Sequence, residues 1–447
     1  MDAKLEKKYG LFTAIAMVVG IVIGSGVFFK AEKILTATGG NLKQGILAWV
    51  IGGIIMISCA YTFSVMATKY QYVNGIVDYA EATVGRTYAY YVGWFMAIIY
   101  YPTITSVLAW VSARYTCVIF GFSITGGECM TIACFYLISS FTINALSPVL
   151  AGKFQVSTTI IKLIPLFLMA IVGTFAGLHS GMISYNFTHS VTSSSSSGLF
   201  TAVVAASFAY EGWIIATSIN AELKNAKKNL PLALIAGTFI TMAVYILYYI
   251  GLAGTVKNET IMAGGETGAK LAFQMLFTSV GGNLLFVFVI ISCLGTLNGL
   301  MLGCTRGIYS LAARGLGPSP RIFNQVDPVT NMPVNSAILG LFLCGTWLFY
   351  FFGANLTASW FGFFSFDSSE LPIVTVYTLY IPIFIMLMIK GKDLNFMNRF
   401  FMPFFSLAGC IFMIIAAWFS HGMAVVAYLI VFFIVMLFGA LLIRKTK

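Results

Sequence analysis

The sequence predicts an all-α polytopic membrane protein, and three of its features support that fold class. Hydrophobic residues make up 59% and charged residues 9% of the 447 residues, whereas soluble globular chains carry about 25% charged residues. About twelve apolar runs are long enough to cross a hydrocarbon core of ~30 Å as helices. The sequence lacks the alternating segments that are typical of membrane β-barrels. With a mean hydropathy of +0.93, these features exclude a soluble enzyme, collagen, a coiled coil and a disordered polymer.

The apolar runs also predict the membrane topology. The first run follows a basic N-terminus, as in a secretory signal, but it continues through Phe29 and is needed as a span. An even number of spans places both termini on one side, and basic residues concentrate in cytoplasmic loops. We therefore expect both termini in the cytoplasm, with only Lys30, Lys33, Lys43, Arg114, Lys257 and Lys270 outside and with Lys162 and Arg306 within spans. The runs lie near residues 11–35, 45–68, 88–119, 130–149, 154–178, 198–221, 231–256, 283–311, 333–352, 366–389, 402–419 and 423–443.

Neither the cysteines nor the histidines form a metal-binding pattern. The eight cysteines contain no CxxC pair, and most fall within spans, so we interpret them as small apolar side chains. Three of them lie near one outer loop, where we do not expect a disulfide: Cys117, Cys129 and Cys134. His179, His189 and His421 lie in loops, and we expect them to be solvated because no carboxylate or cysteine is spaced to complete a ligand set. We therefore expect neither a metal site nor a cofactor.

Two of the predicted spans are interrupted at corresponding places. The first reads Gly20-Ile21-Val22-Ile23-Gly24-Ser25-Gly26-Val27-Phe28, and the sixth reads Ser207-Phe208-Ala209-Tyr210-Glu211-Gly212-Trp213. Paired glycine-containing breaks five spans apart are typical of inverted-repeat transporters, whose binding site lies at mid-membrane. The sequence therefore predicts one domain over 1–447, with five-helix repeats at 11–178 and 198–390, two additional helices at 402–443, and helices 1 and 6 unwound at mid-membrane.

The chemistry of such breaks predicts the kind of ligand. Unwound backbone cannot face lipid, so it must line a cavity within the protein. The half-helix that begins at Gly24-Ser25-Gly26 presents unpaired N–H groups, which suit a carboxylate. The half-helix that ends there presents free carbonyls, which suit an ammonium, so the predicted ligand is an α-amino acid. The alternative interpretation of Gly20 and Gly24 is a small-xxx-small helix packing face.

Five ionisable residues lie within predicted spans. Lys162 is ten residues past Gly152, which places it ~15 Å along a helix and near the centre of the hydrocarbon core. An unpaired charge there costs about 2.5–3.5 kcal/mol, so we expect its ammonium to face inward and to bind the carbonyls at the first break. Glu211 lies in the second break and could face a substrate ammonium, pair with a tyrosine or carry a proton. Arg306, Asp367 and Glu370 lie near span ends, where interfacial anchoring is the simpler interpretation.

At these residues the sequence resembles the amino acid–polyamine–organocation (APC) superfamily, and within it the L-type amino-acid transporters and bacterial serine/threonine and alanine/serine/cysteine exchangers. The resemblance covers spans 1 to 10. Four places carry it: Gly24-Ser25-Gly26-Val27-Phe28; Phe208-Ala209-Tyr210-Glu211-Gly212-Trp213 with Glu222 and Asn229-Leu230-Pro231; Lys162; and Ser292-Cys293-Leu294-Gly295-Thr296-Leu297-Asn298-Gly299 with Arg306 and Arg314.

The resemblance implies a LeuT-type fold that works by alternating access, with family roles for several residues of this chain. Gly24, Ser25 and Gly26 resemble the backbone cradle for the substrate carboxylate. The carbonyls of Val22 and Phe208 resemble the acceptors for the substrate amine, and the Phe208 ring resembles the gate above the substrate. Lys162 is similar to the lysine that replaces a sodium site, with Ser292 as its partner.

The sequence also departs from the family pattern. Glu211 stands where many members have glycine or another small residue. The usual proline after span 1 is Ala31, and the first inner loop, Asn74-Gly75-Ile76-Val77-Asp78-Tyr79, lacks the family's proline. The basic pattern after span 10 is reduced to Lys390-Gly391-Lys392.

The combined interpretation is a sodium-independent exchanger or facilitator of small or neutral L-amino acids in the cytoplasmic membrane of a bacterium. The alternatives are a proton-coupled symporter, with Glu211 or Lys162 as proton carrier, and a transporter-like amino-acid sensor. An enzyme is not expected, because no nucleophile–base pair or metal cluster appears. The expected partners are the amino-acid substrate and the lipid bilayer, without nucleic acid and without an obligatory protein partner.

Overall fold

The computed structural model describes residues 10–70, 75–192, 197–214, 223–330, 332–357 and 359–445. Every regular element in these ranges is a helix, which confirms the predicted all-α class. The helices are α1 (Leu11–Val22), α2 (Gly26–Ala37), α3 (Leu42–Lys69), α4 (Ile76–Thr83), α5 (Arg86–Phe120), α6 (Gly127–Leu146), α7 (Val149–Ser180), α8 (Met182–Thr188), α9 (Gly198–Ala209), α10 (Ala226–Ala253), α11 (Asn258–Gly264), α12 (Glu266–Ala312, two helical parts joined by a kink at Phe277 and Thr278), α13 (Pro320–Phe323), α14 (Val334–Leu356), α15 (Leu371–Lys390), α16 (Met397–His421) and α17 (Met423–Lys445).

The helices agree with the predicted spans closely. Within the described ranges, ten helices are long and apolar enough to cross a membrane, and α1 with α2 forms an eleventh span that is bent by 51°. The sixth predicted span begins as α9, a short apolar helix, and its continuation at 215–222 lies outside the described residues. Apolar helices of this number and length confirm a polytopic membrane fold consistent with the LeuT type.

The chain forms two compact units, each built from three separate segments. The first unit contains Met1–Ala89, Ala170–Glu259 and Ile373–Ser420, and the second contains Tyr90–Met169, Thr260–Pro372 and His421–Lys447. Each unit therefore takes helices from both predicted five-helix repeats. The inverted symmetry of those repeats stays a prediction.

In the first unit, α10 is the central element because it packs against both α1 and α3. Gly237 of α10 permits the close approach of α1, since a Cβ there would lie 2.6 Å from the Val18 side chain. Helix α9 belongs to the same unit and packs on α2 and α3. This packing holds the two interrupted spans against each other and against α3.

In the second unit, polar contacts supplement the apolar packing of α5, α6, α7, α12 and α14. The Asn144 side chain donates to the Asn298 side chain at 2.9 Å, and Asn298 in turn donates to the Ala151 carbonyl at 3.2 Å. Hydrogen bonds of this kind between helices stabilise their association in a membrane, because burying apolar surface away from lipid gives little free energy. Near the N-terminus of α12, the buried Glu266 forms an ion pair with Arg114, whose guanidinium lies over the Trp110 ring.

Some local predictions need correction. His421 is not solvated, because its Nε2 lies 3.1 Å from a carboxylate oxygen of Glu370, with the side chains 12% and 0% exposed. Glu370 is therefore a buried residue and not an interfacial anchor. None of the eight cysteines forms a disulfide, and all except the exposed Cys134 are buried, as expected of small apolar side chains.

The surface of the bundle is apolar along many helices. Large side chains such as Phe433, Leu437 and Leu441 of α17 are more than half exposed, and only 17% of the apolar stretch of that helix is buried within the protein. Apolar surface on this scale requires an apolar solvent, which supports the assignment to a lipid bilayer.

We expect Glu266→Gln to lower the stability of the folded protein by about 3 kcal/mol, because it removes the buried carboxylate charge that pairs with the Arg114 guanidinium. The measurement is thermal unfolding of the detergent-purified protein. Glu128→Gln is the matched control, since Glu128 is exposed in the first turn of α6. Equal melting temperatures for the two variants would show that the ion pair contributes nothing to stability.

Candidate functional site

The first predicted break is present at the expected residues. Helix α1 ends at Val22, Ile23 is extended (φ −67°, ψ 104°), and α2 begins at Gly26 after Ser25. The first intrahelical bond of α2 runs from the Phe29 N–H to the Ser25 carbonyl. The N–H groups of the preceding turn therefore have no intrahelical acceptor.

Ser25 is the most informative side chain at this break. It is 1% exposed, and its hydroxyl has no hydrogen-bond partner within the described part of the chain. Although it occupies the N-cap position of α2, it does not cap the helix. A buried hydroxyl left unsatisfied costs about 1–3 kcal/mol, so its position beside N–H groups that lack intrahelical acceptors favours a site for a polar ligand.

Gly26 has a packing role that the sequence did not indicate. A Cβ there would lie 3.0 Å from the Ala209 Cβ and closer still to the Ala209 backbone. The residue thus permits contact between α2 and the end of α9. Its predicted role in ligand access stays a prediction, and a larger side chain at this position would displace a helix whether or not a ligand binds.

The second break is also present at the expected residues. Helix α9 ends at Ala209, and Tyr210, Glu211 and Gly212 form a turn. Gly212 has φ +106°, a backbone conformation that favours glycine. A Cβ at Gly212 would lie 3.4 Å from the Ile21 carbonyl oxygen, so the two breaks lie against each other.

A tyrosine that sequence reasoning missed joins the two breaks. The Tyr245 hydroxyl lies 3.0 Å from the carbonyl oxygen of Val22 and 3.0 Å from that of Ala209, and it donates to this pair of acceptors. Both carbonyls belong to last turns of helices, where no intrahelical donor is available. The only sequence signal was a group of tyrosines in an apolar span, which by itself indicates nothing about the breaks.

The predicted amine acceptors are therefore partly used. The Val22 carbonyl accepts from Tyr245, and the Phe208 carbonyl accepts from the Glu211 N–H at a long 3.4 Å. A carbonyl oxygen has two lone pairs, so each of these acceptors retains capacity for a ligand ammonium.

The predicted gate residue Phe208 lies at the second break and is 6% exposed. Its ring contacts the Phe29 ring edge-on at 5.9 Å between centroids, and the Lys30 ammonium lies 4.7 Å from its centroid. Sequence reasoning placed Lys30 among the outer charges. The structure places it within α2, completely buried.

Glu211 lies beside an aromatic group of the first unit. It is partly exposed, and it is within electrostatic range of Tyr377, Tyr380 and Cys59. The hydroxyl of Tyr380 is buried and has no hydrogen-bond partner within the described ranges. The second break thus contains a carboxylate within electrostatic range of two buried phenols.

The remaining predicted residues, Lys162 and Ser292, belong to the second unit. Lys162 is 1% exposed on α7, Ser292 is 0% exposed on α12, and the two helices pack together. The Ser292 hydroxyl has no hydrogen-bond partner among the described residues, and the predicted partnership of Ser292 with Lys162 stays a prediction. The attachment of Lys162 to the first break, which belongs to the first unit, stays a prediction. Glu222 and Asn74 lie outside the described residues.

Comparison with known proteins gives matches along nearly the whole chain. The profile described as "Amino acid permease" matches residues 9–441. The serine/threonine exchanger SteT of Bacillus subtilis is 30% identical over 421 residues, which cover 92% of this chain and 91% of SteT. The glutamate/serine transporter AimA of the same organism is 25% identical over 415 residues, covering 88% and 73% of the two chains. Human b(0,+)-type amino acid transporter 1 is 26% identical over 374 residues, covering 77% and 74%.

We expect Tyr245→Phe to lower the melting temperature of the ligand-free protein, because two carbonyls at the breaks lose a shared donor at a cost of about 1–3 kcal/mol. Tyr248→Phe on the same helix is the control, since the Tyr248 ring packs edge-on against Phe28 and that contact survives the change. Thermal unfolding of both variants tests this expectation. It fails if the Tyr245 variant is as stable as the Tyr248 variant.

Proposed function

This chain belongs to the amino acid permease family, and from that premise we propose that it is a sodium-independent exchanger of small or neutral L-amino acids. The observation that carries the proposal is the pair of adjoining breaks. At the first break the buried Ser25 hydroxyl has no hydrogen-bond partner in the part of the chain that the structure describes, and the Tyr245 hydroxyl contacts carbonyls of both breaks. The protein is a transporter by family and not an enzyme.

The breaks supply complementary groups for the two charges of an amino acid. We assign the carboxylate to the N–H groups around Gly24, Ser25 and Gly26, together with the Ser25 hydroxyl. We assign the ammonium to the free lone pairs of the Val22 and Phe208 carbonyls. Because these contacts engage only groups common to all α-amino acids, they fix the substrate class and not its side chain.

Serine and threonine are the substrates to test first. SteT is named a serine/threonine exchanger and AimA a glutamate/serine transporter, so serine is common to two bacterial relatives. The tight contact of Gly26 with Ala209 brings α2 and α9 together beside the break. A small side chain is best suited to such a closely packed place.

Sodium independence rests on Lys162. A buried ammonium on α7 would supply the fixed positive charge that sodium-coupled relatives of this fold obtain from a bound ion. We propose that this charge takes the structural role of that ion. Substrate binding then changes the populations of inward-facing and outward-facing states without a metal ion.

The topology follows from the charge distribution. We propose that the protein is a multi-pass protein of a bacterial cytoplasmic membrane, with both termini in the cytoplasm. We further propose that it works without a protein partner.

A proton-coupled symporter is the second candidate. It is favoured by Glu211, which stands in the second break where many relatives have a small residue and which lies within electrostatic range of Tyr377 and Tyr380. A carboxylate in that place could bind a proton together with the substrate.

The test is uptake of radiolabelled L-serine into proteoliposomes. For an exchanger, uptake should require unlabelled L-serine inside the vesicles and should be equal in sodium and potassium buffers. A proton-coupled symporter would instead take up serine into empty vesicles when the outside is acidic, and Glu211→Gln would abolish that dependence on pH. A steep sodium requirement would refute the proposal, and binding without flux would indicate a sensor.

We expect Ser25→Ala to weaken L-serine binding about tenfold while leaving the melting temperature of the ligand-free protein unchanged or slightly higher. The hydroxyl has no hydrogen-bond partner among the described residues, so its removal should cost little until a ligand carboxylate is bound. Ligand-dependent thermal shifts measure both quantities. Ser207→Ala is the control, because the Ser207 hydroxyl already donates to the Val204 carbonyl at 2.6 Å. A destabilised Ser25→Ala protein with unchanged affinity would contradict the assignment.

A further inference from the structure

Lys30 is the most unusual charged residue of the first unit. It lies one turn into α2, and it is 0% exposed. Lysines are rarely buried completely, because removing an ammonium from water is costly unless other groups compensate. Groups near the Lys30 ammonium must therefore compensate its removal from water.

Two aromatic rings are among the groups that contact the ammonium. The Lys30 Nζ lies 4.7 Å from the centroid of the Phe208 ring and 4.9 Å from that of the Phe29 ring. Both distances are within the range in which a cation is attracted to the face of an aromatic ring. The two rings also contact each other edge-on, at 5.9 Å and 71°.

The contact joins the two interrupted spans. Lys30 and Phe29 belong to the half-helix that begins at the first break, and Phe208 is the penultimate residue of the half-helix that ends at the second. One turn away, Gly26 packs on Ala209. The ammonium therefore holds the Phe208 ring against α2, the half-helix that follows the first break.

We propose that Lys30 is a positioning residue of the aromatic gate, whose ammonium holds the Phe208 ring in place through a cation–π contact. The inference rests on the proposed function, because it takes Phe208 as the gate above the substrate. Lys30 does not touch the substrate in this role. It determines how readily the ring closes over a bound amino acid.

The proposal predicts that transport and binding respond differently. Lys30→Met keeps a long apolar side chain but loses the charge, so the gate closes less well. We expect the maximal rate of serine exchange to fall about tenfold, while equilibrium binding changes less than about threefold, because the backbone groups that bind the substrate are intact. Lys30→Arg retains a cation that binds aromatic faces and should preserve most of the exchange rate.

The decisive experiment replaces Phe208 with phenylalanine carrying one, two or three fluorine atoms on the ring. Each fluorine withdraws electron density from the ring face and weakens its attraction for a cation, with little change in shape. We expect both the serine exchange rate and the melting temperature of the substrate-free protein to fall stepwise with fluorine number. In the Lys30→Met variant, neither the exchange rate nor the melting temperature should change with fluorine number. In the Lys30→Arg variant, both should again fall stepwise.

A matched series at Phe200, whose ring stacks on Phe419 at 4.9 Å, controls for fluorination itself. A flat Phe208 series in the wild-type protein, with normal serine exchange, overturns the role of Lys30 and leaves the proposed function intact. A stepwise melting temperature with an unchanged exchange rate also overturns it, because the contact would then be structural only. If the wild-type protein exchanges no amino acid, the proposed function fails, and a flat melting series then excludes the contact as well.

Discussion

The Tyr245 hydroxyl is the contact on which the arrangement of the site depends. Each interrupted span leaves carbonyl oxygens without donors at the end of its first half, and a helix end buried without partners is unfavourable. One phenolic O–H between the Val22 and Ala209 carbonyls satisfies part of that need at both breaks. Tyr245 lies on the long helix α10, which also packs on α1 and α3. The irregular backbone at both breaks is therefore anchored to a regular helix.

Around this contact, the groups fall into two kinds. The groups available to a ligand are the N–H groups at the start of α2, which have no intrahelical acceptor, and the Ser25 hydroxyl, which has no partner among the described residues. The groups that shape the place are Gly26, Phe29, Lys30 and Phe208, which pack the two half-helices against each other. In the proposed site, a polar ligand would compensate the first set without disturbing the second.

The sequence predicted the spans and the breaks, because both depend on local properties. Apolar runs respond to the solvent, and glycine, serine and a carboxylate in mid-span interrupt a helix wherever it packs. Tyr245 and Lys30 could not be predicted, since their roles depend on which helix faces meet between distant parts of the chain, as between Tyr245 and Val22 or Lys30 and Phe208. Counting charges by side of the membrane treats each lysine as exposed, so it assigned Lys30 to the outer surface and missed its burial. The Glu370–His421 contact, which joins two residues 51 apart, was missed for the same reason.

Helix α17 shows how unevenly such a protein is constrained. It meets the rest of its unit along a narrow line, where the Trp94 indole donates to the Val435 carbonyl and the Tyr90 hydroxyl to the Gly439 carbonyl, at 2.9 and 2.8 Å. On that line a Cβ at Gly439 would lie 2.7 Å from the Trp94 ring, so only glycine fits. Over the rest of its circumference, any lipophilic side chain meets the same requirement. Evolution can therefore exchange leucine, isoleucine, valine and phenylalanine there with little effect, and a spectroscopic label attached to that face would follow the transporter without altering it.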